Sequence, residues 1–201
     1  MSDLTKQTPV EIDTEIARLQ EEEGRALYQL ESAHNSRKHG EATTKYVREQ
    51  SPEKYGPDWK FHTQIEAEKS IVKWTKVRDQ ARAAIVPLHA EYVRRGYWSR
   101  FFLVLNGNGH CHSSTHCSTC FPTTRFGWVT ALSGSTEEEA VKEFGDKMCT
   151  ICFPSAPVSK FWGEGRVARE ERAEKEARQA ERQAKRNAKD AAQVISENGR
   201  V

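Results

Sequence analysis

The chain has 201 residues, 36% of them apolar and 30% charged, with a mean hydropathy of −0.80. An ordinary globular chain is roughly 45–50% apolar with glycine counted, so part of this one is expected to be solvated helix rather than core. Lysine and arginine (31) nearly balance aspartate and glutamate (29), which excludes a nucleic-acid argument from net charge and leaves only a local one. No stretch approaches the run of about 18 apolar residues that crosses a bilayer, and the opening residues lack the basic-then-apolar order of a secretory leader. A cytoplasmic protein without membrane contact is expected.

Ile12, Ile16, Leu19, Ala26, Leu30 and Ala33 recur at alternating steps of three and four, with Glu23 filling one slot. That stripe, running from Thr8 to about His39, predicts an N-terminal helix within 1–40 that seeks a partner helix. Asp13 and Glu15 suit a helix start. His39-Gly40, Ser51-Pro52 and Gly56-Pro57 read as breaks. A second helical run is predicted over 58–96, with apolar positions at Phe61, Ile65, Ile71, Trp74, Val77, Ala81, Ala84, Ile85, Leu88 and Tyr92. Pro87 predicts a kink or a break at Ala84–Val86, and Gly96 predicts the stop. The simplest packing is a helical hairpin; a homodimeric coiled coil competes with it.

From Tyr97 to Val158 the period changes. Trp98–Leu105 is rich in strand formers, Asn106-Gly107 is a hairpin turn signal, and Asn108–His112 would be the return strand. Phe126–Leu132 reads as a third strand, and Ser135 with Glu138 as a capping box opening a short helix that Gly145 closes. From 159 to 201, alanines at steps of three and four alternate with charged residues. They predict a long C-terminal helix with little bulky surface, frayed toward Asn198-Gly199. The fold class is therefore α+β: a helical hairpin, a small β-rich zinc-knuckle module and a charged terminal helix.

Cys117-Ser118-Thr119-Cys120 and Cys149-Thr150-Ile151-Cys152 carry the chemistry. Two intervening residues let a tight turn aim both thiolates at one centre, and two such turns complete a tetrahedron. One structural Zn2+ on Cys117, Cys120, Cys149 and Cys152 is expected, because a small β-rich module rarely builds enough core alone. The alternatives are redox dithiols and inert core thiols. His110, His112 and His116 crowd the first knuckle. They read as additional ligands, a second site, or neighbours hydrogen-bonded beside the four thiolates. On a strand His110 and His112 share a face and Cys111 takes the other.

Around Gly109–His112, Cys117–Thr124 and Met148–Pro157, with its Cys152-Phe153-Pro154-Ser155-Ala156-Pro157 run, the chain resembles uncharacterised zinc-motif proteins encoded by phages of actinobacteria. Cys111 departs from the aliphatic strand residue of that pattern. The resemblance implies a phage protein acting in the cytoplasm of an infected bacterium, and it implies no activity.

Three functions compete. Arg94, Arg95, Arg100, Arg125 and Lys147 near the module's aromatic residues, with Arg182, Lys185, Arg186 and Lys189 on the terminal helix, suggest DNA or RNA binding. The stripe Ile12–Ala33 suggests an adaptor that engages a host protein or pairs with itself. A metal-dependent hydrolase using His110 and His112 stands third, since four thiolates leave zinc no open position. A binding protein, with nucleic acid first, is the expectation.

Overall fold

The computed structural model describes residues 3–106, 109–157 and 165–198, in two compact units, Met1–Trp98 and Ser99–Val201. Among the described residues no helix is long and apolar enough to cross a membrane.

The first unit is a helical hairpin. A 3-10 turn, Leu4–Lys6, precedes α1 (Pro9–Gln50), and α2 spans His62–Arg94. Helix α1 starts at the expected Thr8, its N-cap. Thr8 and Glu11 exchange side-chain-to-backbone hydrogen bonds as a capping box, with Pro9 in the first turn where no N–H is needed. The whole stripe Ile12, Ile16, Leu19, Ala26, Leu30 and Ala33 is buried. Its Glu23 slot holds an ion pair to Arg82, 2.6 Å away.

The helix does not break at His39-Gly40. The same stride continues through Gly40 and Thr44, both buried, and Gly40 is glycine because α2 comes too close for anything else. A Cβ there would lie 2.7 Å from the Gln64 backbone nitrogen. Thr44 then joins the helices. Its hydroxyl donates to Gln64 Oε1 at 2.8 Å and accepts from the Phe61 N–H at 2.9 Å. The contacts Thr44–Gln64, Glu23–Arg82 and Asp13–Trp98 run in opposite chain directions, so the pair is antiparallel.

Helix α2 passes Pro87 unbroken. Ala83 and Pro87 are both exposed, so the turn in which proline removes a helical hydrogen bond lies on the solvent side of the helix. The inner face also differs from the apolar pattern. Phe61, Ile65 and Ala84 are exposed, while Gln64 and Glu91 are buried beside Ala67, Ala81 and Leu88. The two polar residues are tolerated because they are bonded. Gln64 meets Thr44 and donates to Glu68, and Glu91 accepts from Arg94 and Arg95 at 2.6–2.7 Å. Arg95 also donates to the Leu4 and Gln7 carbonyls, tying the start of the chain to the end of α2. Gly96 ends the helix as expected, and Gly96 and Tyr97 both take left-handed backbone (φ 80° and 64°). Trp98, expected to open a strand, instead closes this unit. Its indole donates to the fully buried Asp13 at 2.8 Å and its ring packs on Tyr92.

The second unit holds a three-stranded antiparallel sheet in the order β2-β1-β3: β1 Phe102–Val104, β2 Cys111–His112 and β3 Phe126–Trp128. The expected turn at Asn106-Gly107 falls partly outside the described residues; Gly109 N–H closes on the Asn106 carbonyl. The third strand stops short of the predicted Leu132, because Thr130–Leu132 forms a 3-10 turn. Helix α3 (Glu137–Phe144) opens one residue later than expected, with Thr136 and Glu139 as the capping box rather than Ser135 and Glu138. Helix α4 covers Arg166–Asn198; its expected fraying from Gly199 onward lies outside the described residues.

Phe101, Cys111, Ala140, Phe144, Met148, Phe153 and Ala156 form this unit's core, with Leu103 and Val167 packed against it. Phe101 stacks on Phe153 with ring centroids 5.7 Å apart. Among the described residues, helix α4 is docked near its start. A Cβ on Gly165 would overlap the Phe144 backbone at 2.4 Å, Arg166 pairs with Glu143 at 2.6 Å, and Lys147 pairs with Glu171. From Arg169 to Lys189 every residue is exposed.

Candidate metal centre

The sheet register divides the module into two faces. Leu103 pairs with Cys111 on the core side, and Phe102 pairs with His112 and Trp128 on the other. Cys111 is therefore packed in the core with no exposure, and burial pushes its thiol up to about 12. It stays protonated and serves as a small core residue, as alternation predicts.

His112 looks the opposite way and is 98% hidden from solvent, its exposure being 2%. The cysteine turns supply that cover. Residues 147–149 lie along β2 as a parallel bridge, with Cys111 N–H donating to the Lys147 carbonyl at 2.7 Å and Cys149 N–H to the Cys111 carbonyl at 2.9 Å. This pairing carries the second knuckle to His112. The knuckle closes by Phe153 N–H to the Cys149 carbonyl (2.9 Å), and the first by Cys120 N–H to the Cys117 carbonyl (3.0 Å). Phe126 stands edge-on to the imidazole, 6.1 Å away.

One donor atom each from His112, Cys117, Cys149 and Cys152 lies within 4.8 Å of all the others, an arrangement that could hold a metal ion. Cys117 Sγ and Cys149 Sγ are 3.9 Å apart, and Cys152 Sγ is 3.6 Å from His112 Nδ1. Tetrahedral zinc, with Zn–S about 2.3 Å and Zn–N about 2.0–2.1 Å, separates sulfur pairs by about 3.8 Å and sulfur–nitrogen pairs by about 3.5 Å. The spacing and the soft donor set both fit that ion. Cys120 Sγ lies beside the ring, 3.6 Å from Nε2 and 4.0 Å from Nδ1.

The electrostatics favour ligation. The Thr119 hydroxyl, 3.2 Å from Cys117 Sγ, and the Thr119 N–H lower that thiol to about 7, so thiolate forms readily near neutrality. Burial lowers the basicity of His112, helped by neighbouring His110, which favours the neutral imidazole that binds metals. Burial raises Cys152, the cost a bound cation would offset.

The structure thus brings Cys117, Cys149 and Cys152 together with His112, whereas Cys120, expected as the fourth ligand, touches the His112 ring but stands outside that donor group. His110 and His116 do not join it. Both are exposed, and His116 Nδ1 sits 3.2 Å from the Thr115 hydroxyl. The shared strand face of His110 and His112 puts only His112 under the knuckles.

The basic residues scatter. Arg94 and Arg95 belong to the hairpin unit and are bonded to Glu91. In the second unit Lys147 pairs with Glu171 and Lys185 with Glu181, and Arg100 lies over the Trp128 ring at 4.7 Å. Arg125, Arg182, Arg186 and Lys189 are exposed. The sequence pattern overlooked Phe121, which follows the first knuckle and is 77% exposed; an aromatic side chain beside two cysteines and a proline reads as packing until its surroundings are seen.

Comparison with family models, with curated proteins and with solved structures finds no match to this chain.

Proposed function

We propose that the chain is a zinc-stabilised nucleic-acid-binding protein whose metal is structural. The carrying observation is the gathering of soft donors at tetrahedral spacing on one face of a very small sheet. Seven core residues among those described are little for an independently stable unit, and an ion joining two turns and a strand would supply the missing cohesion.

The nucleic-acid part is supported by Phe121 and Arg125, both exposed beside the first knuckle. Such a pair suits base stacking and phosphate contact. Arg182, Arg186 and Lys189 add exposed positive charge along α4. The competing adaptor reading loses its first support, because the Ile12–Ala33 stripe is buried inside the hairpin. The phage setting and the host cytoplasm rest on the motif resemblance alone.

The test couples metal analysis with retention on single-stranded DNA and RNA. About one zinc per chain is expected, and chelation should unfold the second unit while leaving the helical hairpin. Retention should fall with salt, Phe121→Ala should weaken it by about 1–3 kcal/mol, and Arg125→Ala should lower the salt slope by about one. A zinc-loaded protein that binds neither polymer at low salt would remove the nucleic-acid reading.

A further inference from the structure

Four cysteines and a histidine gather at the two knuckles, and a tetrahedral ion takes four ligands. We infer that the fourth ligand is His112 through Nδ1, joining Cys117, Cys149 and Cys152, and that Cys120 is a spare thiol held beside the imidazole ring. This rests on the zinc reading above and departs from the four-cysteine set that the knuckle spacing suggests.

Three observations carry it. The group whose donor atoms all lie within 4.8 Å of one another contains His112 and not Cys120. Its Cys117–Cys149 and Cys152–His112 distances of 3.9 and 3.6 Å match the sulfur–sulfur and sulfur–nitrogen edges of one tetrahedron. Cys120 Sγ is closer to Nε2 than to Nδ1, 3.6 against 4.0 Å.

His112 is also fixed by its surroundings. It is paired with Phe102 across the sheet, braced edge-on by Phe126, and buried. With the ion on Nδ1 the proton sits on Nε2, and Cys120 Sγ lies beside the ring, 3.6 and 4.0 Å from its two nitrogens, rather than in line with the Nε2–H. Cys120, half-exposed, then ends its turn in contact with the imidazole rather than as a ligand. In the loaded protein three cysteines are masked by the ion and Cys111 by the core, leaving one reactive thiol.

The zinc-loaded full chain is treated with iodoacetamide and its peptides are mapped by mass, and the cobalt-substituted protein is read by its thiolate-to-cobalt absorption. A single label on Cys120 is expected. Cys120→Ser should still bind one ion with the wild-type thiolate band, while Cys117→Ser should weaken that band by one thiolate. Protection of Cys120 in the loaded protein, or a band weaker by one thiolate in Cys120→Ser, would overturn the assignment. A wild-type chain that takes up no ion would overturn the zinc reading with it, a result distinct from a loaded chain with four sulfur ligands.

Discussion

Replacing Gly40 and Gly24 by alanine, one at a time, makes the same chemical change twice in one helix with opposite expected signs. Gly24 is exposed, and nothing lies within 4 Å of where its Cβ would stand. Gly24→Ala should therefore deliver the ordinary gain in helix propensity, about 0.8–1 kcal/mol. At Gly40 the new Cβ would meet the Gln64 nitrogen, Cα and Cβ at 2.7, 2.8 and 2.9 Å. Two of those are backbone atoms at the start of α2, so the helices must part. Overpacking of this kind costs about 1–3 kcal/mol, and separation would stretch the Thr44 hydrogen bonds to Gln64 and Phe61. Against the propensity gain, Gly40→Ala should be net destabilising by about 1–2 kcal/mol. Thermal unfolding followed by helical circular dichroism reads the difference at roughly 4–8 °C per kcal/mol for a unit near a hundred residues. A Gly40→Ala protein as stable as Gly24→Ala would show that the helices do not approach closely at this point.

Two further outcomes concern buried charge in the hairpin. Trp98→Phe removes the indole donor to Asp13, a carboxylate with no exposure, and should cost about 1.5–3 kcal/mol; urea unfolding showing a loss below 0.5 kcal/mol, roughly the error of the method, would deny the bond any such weight. Glu91, held at about 2 by hydrogen bonds from Arg94 and then Arg95, stabilises the fold fully above the ordinary carboxylate value and loses that contribution as pH falls toward 2. The stability gap between wild type and Glu91→Gln should thus be constant above pH 4.5 and close between 4.5 and 2, and a gap unchanged across that range would refute the pairing.

What the sequence displays plainly is whatever depends on neighbours along the chain. The stripe from Ile12 to Ala33, the stops at Gly96 and Gly145, the alternation at Cys111 and His112, and the two cysteine turns are all local patterns. Gly40 is misread because a glycine in isolation signals a break, whereas this one answers to a backbone from another helix. Gln64 and Glu91 look like surface residues until Thr44, Arg94 and Arg95 are placed beside them. Trp98 is strand-like by type, but its partner Asp13 is 85 positions away. The capping boxes Ser135/Glu138 and Thr136/Glu139 match one pattern a residue apart, so pattern alone cannot choose. His112 enters the donor group only because residues 147–149 pair with β2, a long-range bridge with no signature of its own.

The shallow seating of α4 has a mechanical consequence. Its 33 residues amount to a rod about 50 Å long, gripped over little more than its first two turns through Gly165, Arg166, Val167 and Glu171. Tilting such a rod by about 10° at its base carries the far end through about 9 Å. Small changes where Gly165 meets the end of α3 would therefore be magnified along the arm, so that Arg182, Arg186 and Lys189 sweep a volume rather than mark a point.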